Sequence, residues 1–232
     1  MLLLAACAGL GAREARGLTI ALDVGHSRSR PGVVSARGIP EFDFNRVLGL
    51  AVRDELQAAH VTVRMIGENG KADDLRARSA AAGGADLLLS IHHDSVQPRY
   101  LEWTESHGTR HRVTDRFSGF SLFVSRKNPH LATSLACASA IGTALRNAGM
   151  RYSPHHAENI PGENRPFADE ANGVYYFDDL IVLKTAPVPA VLLEAGVIVN
   201  PAEELVLRDP ATHRKIAKAV ASAMSCLAKS PH

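Results

Sequence analysis

Apolar residues in this chain fall into short continuous runs that alternate with longer stretches of helical spacing. The runs at 18–24 (LTIALDV), 61–66 (VTVRMI), 85–91 (ADLLLSI) and 120–124 each read as a strand. Phe44, Val47, Leu48, Ala51, Val52 and Leu56 recur at helical spacing, which predicts a helix over 42–59. Asp73 or Asp74 is placed to cap a helix over 75–82, and Gly83-Gly84 ends it. A helix over about 131–148 follows the fourth strand. The segments 180–183 and 190–193 read as short strands separated by Pro187 and Pro189. Asn200-Pro201 starts a short helix, with Asn as N-cap and Pro at the first position, and a last helix covers about 212–227.

Strands therefore alternate with helices. That order predicts an α/β fold: a largely parallel, doubly wound sheet with helices on both faces, in a single domain over 18–229. Two stretches, 97–118 and 151–173, are polar and rich in His, Arg, Pro and Gly, and read as long surface loops.

Composition narrows the field only modestly. The 232 residues suffice for a sizeable core, and 46% hydrophobic with 22% charged is ordinary for a folded domain. The net charge of +2 comes without any Lys/Arg-rich run, so nucleic acid is not an expected partner. Residues 1–12 (MLLLAACAGLGA) are apolar and small, too short to span a bilayer, and resemble the tail of a secretory signal. Leu4-Ala5-Ala6-Cys7 also resembles a lipobox, so residues 1–17 are expected to serve export, with Cys7 as a candidate lipid anchor. Cys137 and Cys226 lie in apolar helical patterns and are expected to be buried free thiols; export would also permit their pairing.

Ligands of open α/β sheets collect at the carboxyl ends of the strands. Three predicted strands run into chemistry there: Asp23-Val24-Gly25-His26, Ser90-Ile91-His92-His93-Asp94 and Leu193-Glu194-Ala195-Gly196. One edge thus receives His26, one of His92 and His93, and Glu194. Glu41 opens the helix that returns from that edge, although a first-turn acid also simply complements the helix dipole. Two imidazoles and one carboxylate are a recurrent catalytic zinc set that leaves a position for water. A second carboxylate then serves as the base, and Glu194 follows an apolar strand where an idle carboxylate is costly.

These residues resemble the zinc-dependent N-acetylmuramoyl-L-alanine amidases of the type-3 group, which cleave peptidoglycan. The resemblance rests on Asp23-Val24-Gly25-His26, Glu41-Phe42-Asp43-Phe44-Asn45, Ser90-Ile91-His92, the 189–196 segment (PAVLLEAG) and Asn200-Pro201-Ala202-Glu203, in that order. It implies one zinc ion on His26, Glu41 and His92, Glu194 as catalytic residue, and hydrolysis of the amide between N-acetylmuramic acid and L-alanine. It also implies a bacterial envelope location, periplasmic or secreted. Some division-associated members insert an autoinhibitory helix after the strand matching 120–124; here only 125–130 intervenes, so a monomer active without an activator is expected. Ser27-Arg28-Ser29-Arg30 replaces the usual glycines with a more basic rim, and His93 stands where a small residue is common. His93 is expected to be a solvent-facing neighbour, with substrate or oxyanion contact as the other reading. His155, His156 and Glu163 suggest a second metal, but a plain polar loop is the preferred reading. A zinc carboxypeptidase is the rival enzyme; the loop of about a dozen residues between His26 and Glu41 argues against its compact His–Glu turn. A silent glycan-binding protein is the rival from another class, and the intact four-residue set argues against it.

Overall fold

The computed structural model describes residues 17–229 apart from residue 107; residues 1–16, expected to serve export, and Cys7 among them lie outside the described residues. The apolar runs form the strands of one seven-stranded sheet. Its members are β1 (Thr19–Val24), β2 (Thr62–Ile66), β3 (Leu87–Asp94), β6 (Ser121–Val124), β7 (Phe167–Asp169), β8 (Val174–Tyr176) and β9 (Ala190–Val197). The order across the sheet is β2-β1-β3-β9-β6-β8-β7. The β2-β1-β3-β9 half is parallel throughout, as is β6 with β8. β6 runs antiparallel to β9 and β7 antiparallel to β8, so the sheet is mixed but mostly parallel.

Strand alternation sends side chains to two apolar cores. Ile20, Leu22, Leu87, Leu89, Leu122 and Leu193 pack with Leu48, Val52, Ile141 and Val220, which lie on α1 (Glu41–Ala58), α3 (Leu131–Asn147) and α6 (Pro210–Ala223). Ala21, Leu88, Phe123 and Leu192 face the other way, toward Val182 and Leu183 of α4 (Ile181–Lys184), which packs beside α2 (Leu75–Ala81). Helices on both faces are thus the physical answer to strands apolar on both sides. Asp74 caps α2 by accepting from Arg76 N and Ala77 N. Asn200 caps α5 (Pro201–Arg208) by accepting from Ala202 N and Glu203 N.

Four expectations need correction. The 180–183 segment is the helical turn α4, not a strand: Lys184 N bonds back to Leu180 O and Thr185 N to Ile181 O. Four aliphatic residues carry no period long enough to separate the two states. The polar 97–118 stretch holds the hairpin of β4 (Glu102–Ser106) and β5 (Thr109–Val113), and 151–173 supplies β7. Cys137 and Cys226 are not free thiols; they form a disulfide, their Cα atoms 5.2 Å apart where α3 meets the turn after α6.

Candidate metal and catalytic site

β1, β3 and β9 are parallel neighbours, so their carboxyl ends deliver residues to one edge. The third strand runs further than its apolar run suggests. The β3–β9 ladder pairs His92 with Glu194 and continues to Asp94 opposite Val197, so His92 and Glu194 sit within strands rather than beyond them. His26 follows β1 in a left-handed conformation (φ 65°) that turns the chain over the edge. Glu41 is the first residue of α1, whose N-terminus returns to that edge.

The four residues meet there. Glu41 bridges the two imidazoles: one oxygen lies 2.9 Å from His26 Nε2 and the other 3.0 Å from His92 Nδ1. The rings of His26 and His92 stand edge to face at 5.0 Å. Burial pushes the Glu41 carboxyl up, but hydrogen bonds from His26 and His92 outweigh it and hold the group well below the ordinary carboxylate range. Burial pushes His26 down, and Glu41 more than restores it, leaving it raised. Glu194 is pushed well above the ordinary value by burial and by the charges of Asp94 and Glu41, and its Oε2 has no hydrogen-bond partner. A half-buried carboxylate with an oxygen left without a partner is costly, and it persists where chemistry uses it.

Two glycines make room. A Cβ on Gly25 would sit inside the His92 ring, and one on Gly32 would collide with Glu41 Oε2 and crowd His26. Gly32 also has φ +79°, which an L side chain rarely adopts.

The supporting residues were less visible from sequence. Asn45, one turn along α1, donates to Glu41 Oε1 at 3.0 Å and to Gly25 O at 3.2 Å, and accepts from His93 Nδ1 at 2.8 Å. His93 is therefore not solvent-facing. It points away from His92, is 2% exposed, and burial takes its imidazole down to about 3, so it stays neutral. Arg78 of α2 is also buried. It donates to Asp23 Oδ1 and Val24 O, both at 2.6 Å, to Ala72 O and to His26 O. Ser90 donates to the other Asp23 oxygen at 2.7 Å. Asp23 and Ser90, present in the motifs but without an assigned role, thus join β1, β3 and α2 beneath His26. No local pattern singles out an arginine that a distant carboxylate will bury.

The 151–173 loop is the largest departure from expectation. His155 and His156 are 1% and 6% exposed and converge on Asp94 at the end of β3. The segment 125–130 is a turn joining β6 to α3, without an inserted helix. A pocket of about 480 Å³ opens beside the site, lined by Gly25, His26, Arg30, Gly32, Leu75 and His92 among others. Of the basic rim expected from Ser27–Arg30, Ser27 and Arg30 form part of its wall.

An α/β sheet with helices on both faces and two imidazoles, a bridging carboxylate and a lone carboxylate at its carboxyl edge is the frame of a hydrolase. Residues 20–226 match the model of the N-acetylmuramoyl-L-alanine amidase family, and the chain belongs to that family. It is accordingly an enzyme that hydrolyses the amide between N-acetylmuramic acid and L-alanine in peptidoglycan. Solved structures share the fold. The N-acetylmuramyl-L-alanine amidase of Mycobacterium smegmatis superimposes with a TM-score of 0.72 at 21% identity, covering 92% of this chain and 98% of that one. An amidase from Clostridium difficile 630 gives 0.71 at 18% identity, covering 93% and 99%. The catalytic domain of an amidase from Bacillus (Paenibacillus) polymyxa var. colistinus gives 0.67 at 21% identity, covering 90% and 96%. No curated protein matches the sequence.

Proposed function

We propose that this amidase works with a single catalytic zinc ion held by His26, Glu41 and His92, and with Glu194 as general base and then general acid. The observation that carries the reading is the convergence of three donor groups on one point, with Glu194, whose Oε2 has no hydrogen-bond partner, opposite His92 on the neighbouring strand. The residues fit the ion: two neutral-capable imidazoles, one carboxylate between them, and glycines where any side chain would fill the cradle. When bound, zinc supplies Lewis-acid activation of water and of the scissile carbonyl.

The protein groups do the rest. Asn45 fixes the carboxylate of Glu41 through Oε1. Arg78 holds the His26 backbone. Glu194, half-buried and raised above the usual carboxylate range, is tuned to take a proton from water and return it to the departing alanine nitrogen. Arg30 on the pocket wall is placed for the acidic groups of a stem peptide.

Cell-wall cleavage places the enzyme in the bacterial envelope. Residues 1–17 fit export to the periplasm or beyond, with Cys7 as the point of lipid attachment. The Cys137–Cys226 disulfide agrees with an oxidising compartment. With a plain turn at 125–130, the enzyme works as a monomer without an activator. The test incubates purified protein and zinc with muropeptides and analyses the products by mass spectrometry. Free stem peptide with intact glycan is expected; loss of a terminal residue instead would overturn the reading. Negligible turnover until a partner protein is added would refute independence from an activator. Zinc content should fall with His26→Ala.

A further inference from the structure

We propose that Asp94, His155 and His156 form a second divalent-cation site, distinct from the His26–Glu41–His92 set. The two sites share one design. In each, imidazole nitrogens and a carboxylate bring ligand atoms within 4.8 Å of one another. In the first, the closest imidazole–carboxylate separations are 2.9 and 3.0 Å. In the second, Asp94 Oδ2 lies 2.8 Å from His156 Nε2 and 3.5 Å from His155 Nε2.

The other nitrogen of each ring is already committed. His156 Nδ1 lies 2.9 Å from Glu163 Oε2, and His155 Nδ1 lies 2.7 Å from Ser153 Oγ. Glu163 is itself held by Gln97 at 2.7 Å and by Arg165, and Asp94 Oδ1 accepts from Ser95 N at 2.8 Å. A histidine whose Nδ1–H is fixed by an outer acceptor presents a lone pair at Nε2, which is the arrangement of metal-bound histidines. Two such lone pairs and a carboxylate oxygen then face one another in a buried cluster flanked by the rings of Phe117 and Phe123. Such a cluster needs positive charge at its centre. A proton on His156 satisfies the contact to Asp94 but leaves His155 Nε2 without a hydrogen bond of good geometry, and that atom is indeed an orphan in a residue 1% exposed. A divalent cation satisfies all three atoms together. Two imidazoles and a carboxylate select zinc or a neighbouring first-row ion over calcium or magnesium.

The bound ion would tie the 153–165 segment to the end of β3, two residues beyond His92. It accounts for the burial of His155 and His156 in a stretch whose other residues are mostly half-buried or exposed.

The test is metal stoichiometry of the full chain, stripped with chelator, dialysed against Zn2+ and passed through gel filtration before elemental analysis. Wild type is expected to hold two equivalents, His26→Ala one, His155→Asn one, and the double variant none. Should His155→Asn misfold, Ser153→Ala leaves all three donors in place and is expected to weaken the second equivalent about 10- to 100-fold in a calorimetric titration. A wild type with one equivalent that His155→Asn leaves untouched would overturn the proposal and make the cluster a proton-held ionic network. One equivalent lost in His155→Asn but kept in His26→Ala would instead support this site and refute the catalytic zinc assignment.

Discussion

Glu194 stands directly opposite His92 across the parallel β3–β9 ladder. Parallel register places equivalent side chains on one face, so base and ligand are fixed by backbone pairing rather than by a loop. Glu194→Gln keeps the shape and removes the proton carrier. Turnover on muropeptides is expected to fall by about 10²- to 10⁴-fold, with zinc content and melting temperature close to wild type. Near-normal turnover in this variant would exclude Glu194 from proton transfer.

Gly25 touches the face of the His92 ring so closely that a methyl group cannot be added without moving it. The variant Gly25→Ala leaves every ligand chemically intact. It is expected to lower zinc affinity at the first site by at least about tenfold, through displaced geometry alone. A calorimetric titration matching wild type would show that the ring relaxes without cost.

Much of this site was legible because parallel strands are continuous apolar runs and their ends are abrupt. β1, β3 and β9 could be read directly, and with them His26, the His92/His93 pair and Glu194. The choice between the two histidines was not legible from the run itself. β3 extends through Asp94, so the His92 and His93 side chains point to opposite sides, and of the two rings only that of His92 meets Glu41. Glu41 was ambiguous on its own because a ligand and a dipole-complementing acid look alike in the first turn of a helix. The disulfide was hidden by the 89 residues between its cysteines. His155 and His156 lie in polar sequence of the kind that forms surface loops; their burial depends on Asp94, Glu163 and Arg165, which no periodic pattern links to them.

Arg78 is an ion-pair partner that the fold cannot replace cheaply. It is 3% exposed and satisfies Asp23 together with the carbonyls of Val24, His26 and Ala72. Arg78→Met leaves a buried carboxylate without its counter-charge, at a cost of about 3–5 kcal/mol. Arg78→Lys keeps the charge but loses the fork, and is expected to recover only part of that loss. Urea unfolding of the two variants checks the order. Equal stability of wild type and Arg78→Met would mean that Asp23 is neutralised some other way.

The Cys137–Cys226 bond closes a loop with a sequence separation of 89 and joins α3 to the helical turn Met224–Lys229 that follows α6. Loop-closure entropy for a separation of this size is worth about 3–5 kcal/mol. Replacing both cysteines with Ala is expected to lower the melting temperature by roughly 10 °C, with little change in turnover, since neither residue lies at the catalytic edge. Differential scanning calorimetry with and without reductant provides the same comparison on the wild type. An unchanged transition under full reduction would show that packing of α3 against α6 suffices.

Glu203 supplies a pH dependence with a definite sign. Its oxygens accept from Gly119 N at 2.7 Å and Val197 N at 2.8 Å, which ties α5 to the end of β9. Burial pushes the carboxyl up, the two backbone donors pull it down, Asp94 adds to the upward push, and the result is about 7. The folded protein therefore keeps a proton that the unfolded chain releases above about 4.5. Stability from this group is full below pH 4.5 and is lost as pH rises through 7, by up to about 3 kcal/mol. In Glu203→Gln the amide nitrogen faces one of the two N–H donors, so one bond is lost and the variant starts less stable by about 1–3 kcal/mol. It has no proton to lose, so its deficit relative to wild type is expected to narrow between pH 4.5 and 7. Denaturant unfolding of both proteins across that window reads the effect, and a gap that stays constant or widens would show that Glu203 is already ionised at the lower pH.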